Sequence, residues 1–216
     1  MAEIQHLAIC TKNNRRLARF YQLIFGLEES WNRFQNSPYA FYMSDEYLNL
    51  NCLQIRPGSS YNRIVDGQEI MPDVGINHGG FTVKSVKEIE QRLASLNPPV
   101  KLVASPQDGR YEEWRITDPD GMIFEIAEGG WEAGGLKRLP AIRYIGIRSD
   151  DPNTLAGFYQ SALPIREVNR VTDPTGEAST IFLSAGETVL GLLKRANAAS
   201  SYFWSRSTAN IVYKHS

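Results

Sequence analysis

Hydrophobic positions along the chain switch between two periods. Alternation of apolar and polar residues predicts short strands at 4–10, 76–83 and 142–148, each of them half-buried. After each strand comes a polar loop with Asn, Asp or Ser suited to cap a helix. A stretch with helical spacing then follows, at 13–24, 85–96 and 151–162. In the first of these Leu17, Phe20, Tyr21 and Ile24 form one apolar stripe. Gly26 and Pro164 stop the first and third helices, and Asn97-Pro98-Pro99 stops the second. Strand-like runs return after each helix: 29–34, 39–43 and 47–54, then 100–104, 111–117 and 122–127, then 165–171, 179–183 and 189–193. The order βαβββ is therefore predicted three times.

The residues repeat as well as the pattern. Ile4–Glu29 falls on Ile142–Glu167 without a gap, with Leu17-Ala18 on Leu155-Ala156 and Phe20-Tyr21-Gln22 on Phe158-Tyr159-Gln160. A weaker copy starts at Ile76, where Ile76-Asn77-His78 falls on Ile4-Gln5-His6. Self-similarity at such spacings means a duplicated supersecondary unit. The expected class is α+β, built of repeated βαβββ modules. Two of them, 3–56 and 75–128 within a domain 1–130, are expected to pair into a cup. A third, degenerate module at 139–195 stands unpaired, followed by a tail at 196–216. Asp118-Pro119-Asp120-Gly121 reads as a tight hairpin turn. The glycine-rich stretch 129–135 reads as a linker, and the polar stretch 56–74 as the join between the first two units.

Composition narrows the classes. Of 216 residues, 42% are hydrophobic and 22% charged, as in an ordinary globular protein with an ample core. A net charge of −1 with no basic block gives nucleic acid no electrostatic support. No apolar run reaches the roughly 20 residues of a membrane span, and no secretory signal pattern opens the chain, so a cytoplasmic location is the default. Cys10 and Cys52 lie in strand-like segments and read as buried core thiols. The four tryptophans read as packing residues, and Arg15-Arg16 and Lys137-Arg138 as solvated faces.

The chain has three histidines, and two of them, His6 and His78, hold the same place in two repeats. Strand alternation puts His6 and Ala8 on one face, His78 and Gly80 on the equivalent one, and Glu125 opposite the apolar Phe124 and Ile126. If units one and two pair face to face, His6, His78 and Glu125 enter one cup, and two imidazoles with a carboxylate suit an open divalent-metal site. His215 is a chain-end histidine. Tyr111 and Arg115 share a face on the strand before the turn. Tyr111 either donates a proton near the metal or simply packs. Arg115 either binds a substrate carboxylate or phosphate, or pairs with Glu113 or Glu125.

The two strand histidines, the helix with Phe20-Tyr21 leading to Phe25-Gly26-Leu27, and Asp118-Pro119-Asp120-Gly121 followed by Glu125 together resemble the vicinal oxygen chelate superfamily. That group contains glyoxalase I, extradiol dioxygenases, fosfomycin-resistance transferases, methylmalonyl-CoA epimerase and bleomycin-binding proteins. The resemblance implies paired βαβββ modules around a divalent metal, with His6, His78 and Glu125 as its ligands; Tyr111 and Arg115, from their shared strand face, are the candidate catalytic residues. Fe(II) or Mn(II) is favoured, with Zn, Co and Ni as other candidates. It implies a glyoxalase- or dioxygenase-type enzyme acting on a small oxygen-chelating substrate. The alternatives are a non-catalytic binding protein of the bleomycin-binding kind, and a transferase or isomerase. The last strand of unit one offers Asn49 or Asn51 where glyoxalase I has a carboxylate, and no further histidine serves as the acid–base group of extradiol enzymes. Tyr144 and Gly191 stand in unit three at the places of His6 and Glu125, so that unit reads as structural. Its unpaired sheet predicts a homodimer through unit three, or a truncated form of a four-unit protein.

Overall fold

The fold is described from a computed structural model covering residues 4–30, 39–54, 75–104, 114–128 and 139–195. Unit one contains β1 (His6–Thr11), α1 (Asn14–Phe25), β2 (Glu28–Glu29), β3 (Ala40–Ser44) and β4 (Asn49–Gln54). Unit two contains β5 (Gly75–Thr82), α2 (Val86–Ala94), β6 (Val103–Ala104), β7 (Trp114–Thr117) and β8 (Ile123–Ala127). Unit three contains β9 (Ala141–Ser149), α3 (Pro152–Ala162), β10 (Arg166–Thr172), β11 (Ala178–Ala185) and β12 (Thr188–Lys194). All three units therefore have the βαβββ order, with the helices within two residues of the ranges expected.

The helix ends follow from local chemistry. Asn13, Ser85 and Asp151 each accept backbone N–H groups of the first turn through their side chains. Gly26 ends α1 at φ 67°, a left-handed conformation that glycine enters without a Cβ penalty. In the Asp118–Gly121 turn, Gly121 (φ 93°) donates its N–H to the Asp118 carbonyl, and the Asp118 carboxylate accepts the N–H groups of Asp120 and Met122 at 2.9 Å each.

The strands form two sheets. One has four strands in the order β1-β4-β3-β2. The other has eight, in the order β10-β11-β12-β9-β5-β8-β7-β6. Two units therefore share a sheet and one does not, but the pair is two and three rather than one and two. The junction is the antiparallel contact of β5 with β9, from Gly75 opposite Arg148 to Thr82 opposite Ala141. β8 holds the other edge of β5, so no edge is left for β1. Unit three is not the unpaired one, and the open edge that argued for a homodimer through it is covered. Among the described residues the uncovered first-strand edge belongs to β1.

Glycine explains which strands could meet. A Cβ at Gly146 would lie 2.3 Å from the His78 ring, and one at Gly80 would lie 3.0 Å from Tyr144 Cβ. β5 and β9 approach closely because each lacks a side chain where the other carries a ring. β1 has Ala8 at the matching place.

Unit one packs against unit two through the helix side. Phe25 of α1 stacks on Phe81 of β5 with ring centroids 3.7 Å apart, and Tyr21 meets Phe124 of β8 edge-on at 5.4 Å. These four rings are all buried, in one apolar core that also takes in Ile181, Leu183 and Leu192 of unit three. Polar pins surround the core. The Tyr21 hydroxyl donates to Asp118 at 2.6 Å, Arg16 pairs with Asp120, and Arg92 donates to the Ile24 carbonyl at 2.8 Å. The hairpin between β3 and β4 reaches unit three: buried Asp45 accepts the N–H groups of Tyr47 and Leu48 at 2.9 and 2.7 Å and that of Ile142 at 2.5 Å. The linker 129–135, the join 56–74 and the tail 196–216 lie outside the described residues.

Candidate functional site

His78 stands on β5 and Glu125 on β8, two strands that run parallel with Gly80 opposite Glu125. Alternation along β8 sends Phe124 and Ile126 into the helix-side core and Glu125 to the other face, as the sequence implies. There His78 Nε2 lies 3.2 Å from Glu125 Oε2. The imidazole is 1% exposed and the carboxylate 2%, so the pair is almost wholly removed from water. On the neighbouring strand Arg115 donates from Nη2 to Glu125 Oε1 at 3.3 Å. One carboxylate oxygen thus faces a guanidinium and the other an imidazole. A buried carboxylate requires such compensation, because an isolated charge in a low-dielectric interior is strongly unfavourable.

Across the junction, unit three supplies an aromatic wall. The Tyr144 ring lies 5.1 Å from that of His78, measured between centroids. It rests over Gly191, where a Cβ would be 2.2 Å from the tyrosine hydroxyl oxygen. Tyr144, Phe182 and Val189 form a small buried cluster there. The register bears on the matching of places: Gly146 opposes Gly191 as Gly80 opposes Glu125, so Gly191 does hold the carboxylate's place. In unit one the same comparison selects Asn51, which opposes Ala8.

The structure brings together two of the three expected ligands. His6 faces away from the helices, as its parity implies, but it is exposed and on the four-stranded sheet. Among the described residues no group of three or more His, Cys, Asp or Glu side chains is arranged to hold a metal. The repeat identifies equivalent faces but not which equivalent strands become neighbours, and it is the pairing of β5 with β9 that separates His6 from His78. Arg115 takes the second of its two expected roles, the ion pair with Glu125. Tyr111 lies outside the described residues. Tyr144 is the residue that sequence reasoning passed over as merely structural. The signal for it was present in Gly80, Gly146 and Gly191, which clear space for two rings.

Elsewhere, the remaining buried titratable groups serve the scaffold. Burial pushes the Asp118 carboxyl above its ordinary range, a shift that the hydrogen bonds from Tyr21, Met122 and Asp120 oppose. Burial, and then the neighbouring Asp118 charge, pushes the Tyr21 hydroxyl well above its ordinary value. Cys10 and Cys52 are both free, and burial raises both thiols. No described helix is long and apolar enough to cross a membrane.

No family model and no curated protein matches the sequence. Solved structures do match the fold. Glyoxalase I of Zea mays superposes with a TM-score of 0.65 at 16% identity, over 89% of this chain and 67% of that one. A candidate dioxygenase of Bacillus subtilis superposes with a TM-score of 0.61 at 18% identity, over 99% of this chain and 76% of that one. The chain thus spans about two thirds of the maize enzyme's length, and at these identities the likeness is one of fold. That fold is the glyoxalase-like one, mixed α+β with repeated βαβββ units.

Proposed function

We propose that the chain is a divalent-metal-dependent enzyme of the glyoxalase or dioxygenase type, acting on a small substrate with two adjacent oxygens, and that its centre is built on His78 and Glu125. What supports this reading is the 3.2 Å approach of His78 Nε2 to Glu125 Oε2 on a buried sheet face. Two ligand atoms about 2.1 Å from an octahedral ion, on adjacent positions, are about 3 Å apart, so the pair fits two such positions. Imidazole with carboxylate suits Fe(II) and Mn(II), and also Zn, Co and Ni. When bound, the ion would supply Lewis-acid polarisation of the substrate oxygens.

The chain's own residues have definable parts in this reading. Arg115 balances Glu125 and fixes its orientation through Oε1, leaving Oε2 turned to His78. Tyr144 flanks His78 and closes the wall over Gly191, and with Phe182 and Val189 it excludes water from that side. His78 and Glu125 would hold the ion and would leave it accessible to a chelating substrate. His6 has no part in this centre.

Metal titration of the purified chain with Mn(II), Fe(II) and Zn(II), followed calorimetrically, tests the proposal. One ion per chain is expected, abolished in His78→Ala and Glu125→Ala and kept in His6→Ala. Binding lost in His6→Ala but kept in His78→Ala would overturn it. Binding of no ion at all would leave a second reading, a metal-free small-molecule binder, which the apolar wall of Tyr144, Phe182 and Val189 favours.

A further inference from the structure

The repeat supplies a control for α3. It sets Leu155, Phe158, Tyr159, Ala162 and Leu163 on Leu17, Phe20, Tyr21, Ile24 and Phe25. In unit one all five are buried, with the rings of Phe81 and Phe124 against Tyr21 and Phe25, and with α2 beside α1. In α3 the same stripe is open. Phe158 is 61% exposed where Phe20 is 4%, and Leu163 is 42% exposed where Phe25 is 1%. Ala162 is exposed, and Leu155 and Tyr159 are only partly buried.

This is not the surface of a solvated helix. Pro152–Ala162 carries no charged residue, in a chain of which 22% is charged. Its inner side packs on β9, β11 and β12, while Phe158 and Tyr159 meet edge-on at 5.5 Å near the open side. A helix face left to water ordinarily carries polar and charged groups, and a contiguous apolar one marks a docking surface.

The described residues end beside this helix. Arg195, just after β12, donates its backbone N–H to the Ser149 carbonyl at 2.8 Å, and its Nε pairs with Asp150 at 2.7 Å. Asp151 caps α3, so the chain leaves at the N-terminal end of the helix. Ala196-Asn197-Ala198-Ala199-Ser200-Ser201 then leads to Tyr202-Phe203-Trp204. At 1.5 Å per residue, Phe158 lies about 10 Å along the helix from Asp151, and Leu163 about 18 Å. The stretch from Arg195 to Phe203 can span about 25 Å, so its rings reach the whole stripe. The segment 196–216 holds no Asp or Glu, and brings no like charge to Asp150 and Asp151.

We propose that the segment after Arg195 docks on α3 of its own chain, laying Tyr202, Phe203 and Trp204 over Leu155, Phe158, Tyr159 and Leu163. It would cover in unit three the stripe that the rings of unit two cover in unit one. Aromatic pairs gain more than their area alone provides. The tether makes the contact intramolecular, at an effective concentration of roughly millimolar, so each ring needs only a modest affinity.

Hydrogen exchange of the whole chain tests the proposal, comparing the wild type with the triple substitution Tyr202→Ser, Phe203→Ser, Trp204→Ser. The amides of Leu155–Ala162 should exchange about tenfold or more faster in the variant, and those of α1 should be unchanged. A second measurement leaves the tail intact. Phe158→Asp alters an exposed side chain and should keep the wild-type circular dichroism, while opening Trp204 to quenching by acrylamide. Trp204→Phe isolates the share of the emission that belongs to that residue. Unchanged exchange in α3, or a Trp204 quenched alike in the wild type and Phe158→Asp, overturns the proposal. So does a dimer that grows with concentration and is lost in Phe158→Asp but kept in the serine variant, since a second copy would then be the occupant. His78 and Glu125 lie on β5 and β8, so this test and the metal titration fail independently.

Discussion

At the scale of single residues, Glu125 is the charge on which the site depends. It is 2% exposed, with Arg115 on one oxygen and His78 on the other. Removing one partner of a buried pair leaves an uncompensated charge, so Arg115→Ala should destabilise the fold by roughly 3–5 kcal/mol in urea unfolding. Adding Glu125→Gln to that variant should recover most of the loss, because the orphaned charge is then gone. Equal losses with and without Glu125→Gln would mean that Arg115 acts through packing alone.

Asp118 gives a second residue-scale expectation, with its sign set by burial. Its folded-state pKa is raised, chiefly by desolvation. A raised carboxyl binds its proton more tightly folded than unfolded, so its contribution is fully present below the ordinary value near 3.9 and is lost as pH rises through the folded value. Asp118→Asn cannot ionise and escapes that loss. Its stability relative to the wild type should therefore improve between about pH 4 and pH 7 in paired urea titrations. A relative stability that worsens over this interval would show that the hydrogen bonds from Tyr21, Asp120 and Met122 outweigh desolvation.

At the scale of elements, the parts of the fold that sequence made legible are those decided by neighbours along the chain. The helices could be read from Leu17, Phe20, Tyr21 and Ile24, with Asn13 and Gly26 at the ends, because cap and stripe are local. The faces of His6, His78 and Glu125 could be read because alternation is local too. Which strand edges meet could not be read from the repeat, since β1, β5 and β9 are equivalent by descent and differ in a detail of volume. β5 and β9 carry Gly80 and Gly146 where β1 carries Ala8, and the rings of Tyr144 and His78 occupy that space. Gly146→Ala tests this directly. Its Cβ would fall 2.3 Å from the His78 ring, which must move away from Glu125. The expected result is a roughly 10–100-fold loss of metal affinity, the range seen when a residue that orients a ligand is altered. Gly157→Ala in α3, where a Cβ meets nothing within 4 Å, is the control and should leave affinity unchanged.

At the scale of the molecule, the three units form two sheets but one core. Phe25 is the clearest link, since it belongs to α1 of unit one and stacks at 3.7 Å on Phe81 of unit two while only 1% exposed. Asp120 and Asp118 add polar pins between the same units, and Asp45 ties the first unit to the backbone of the third. Cooperativity should therefore run across the sheet boundary. Phe25→Ala removes a buried ring and leaves a cavity at that boundary, a change that costs about 3–5 kcal/mol. Because the proposed ligands His78 and Glu125 sit on β5 and β8, whose other face is packed by this same ring cluster, the loss should be felt in both sheets. Hydrogen exchange should show β1 and β8 losing protection together, in a single unfolding transition. If β1 opened alone while β8 kept its wild-type protection, the four-stranded sheet would be an independent folding unit, and the aromatic contact would be no more than a surface between two bodies.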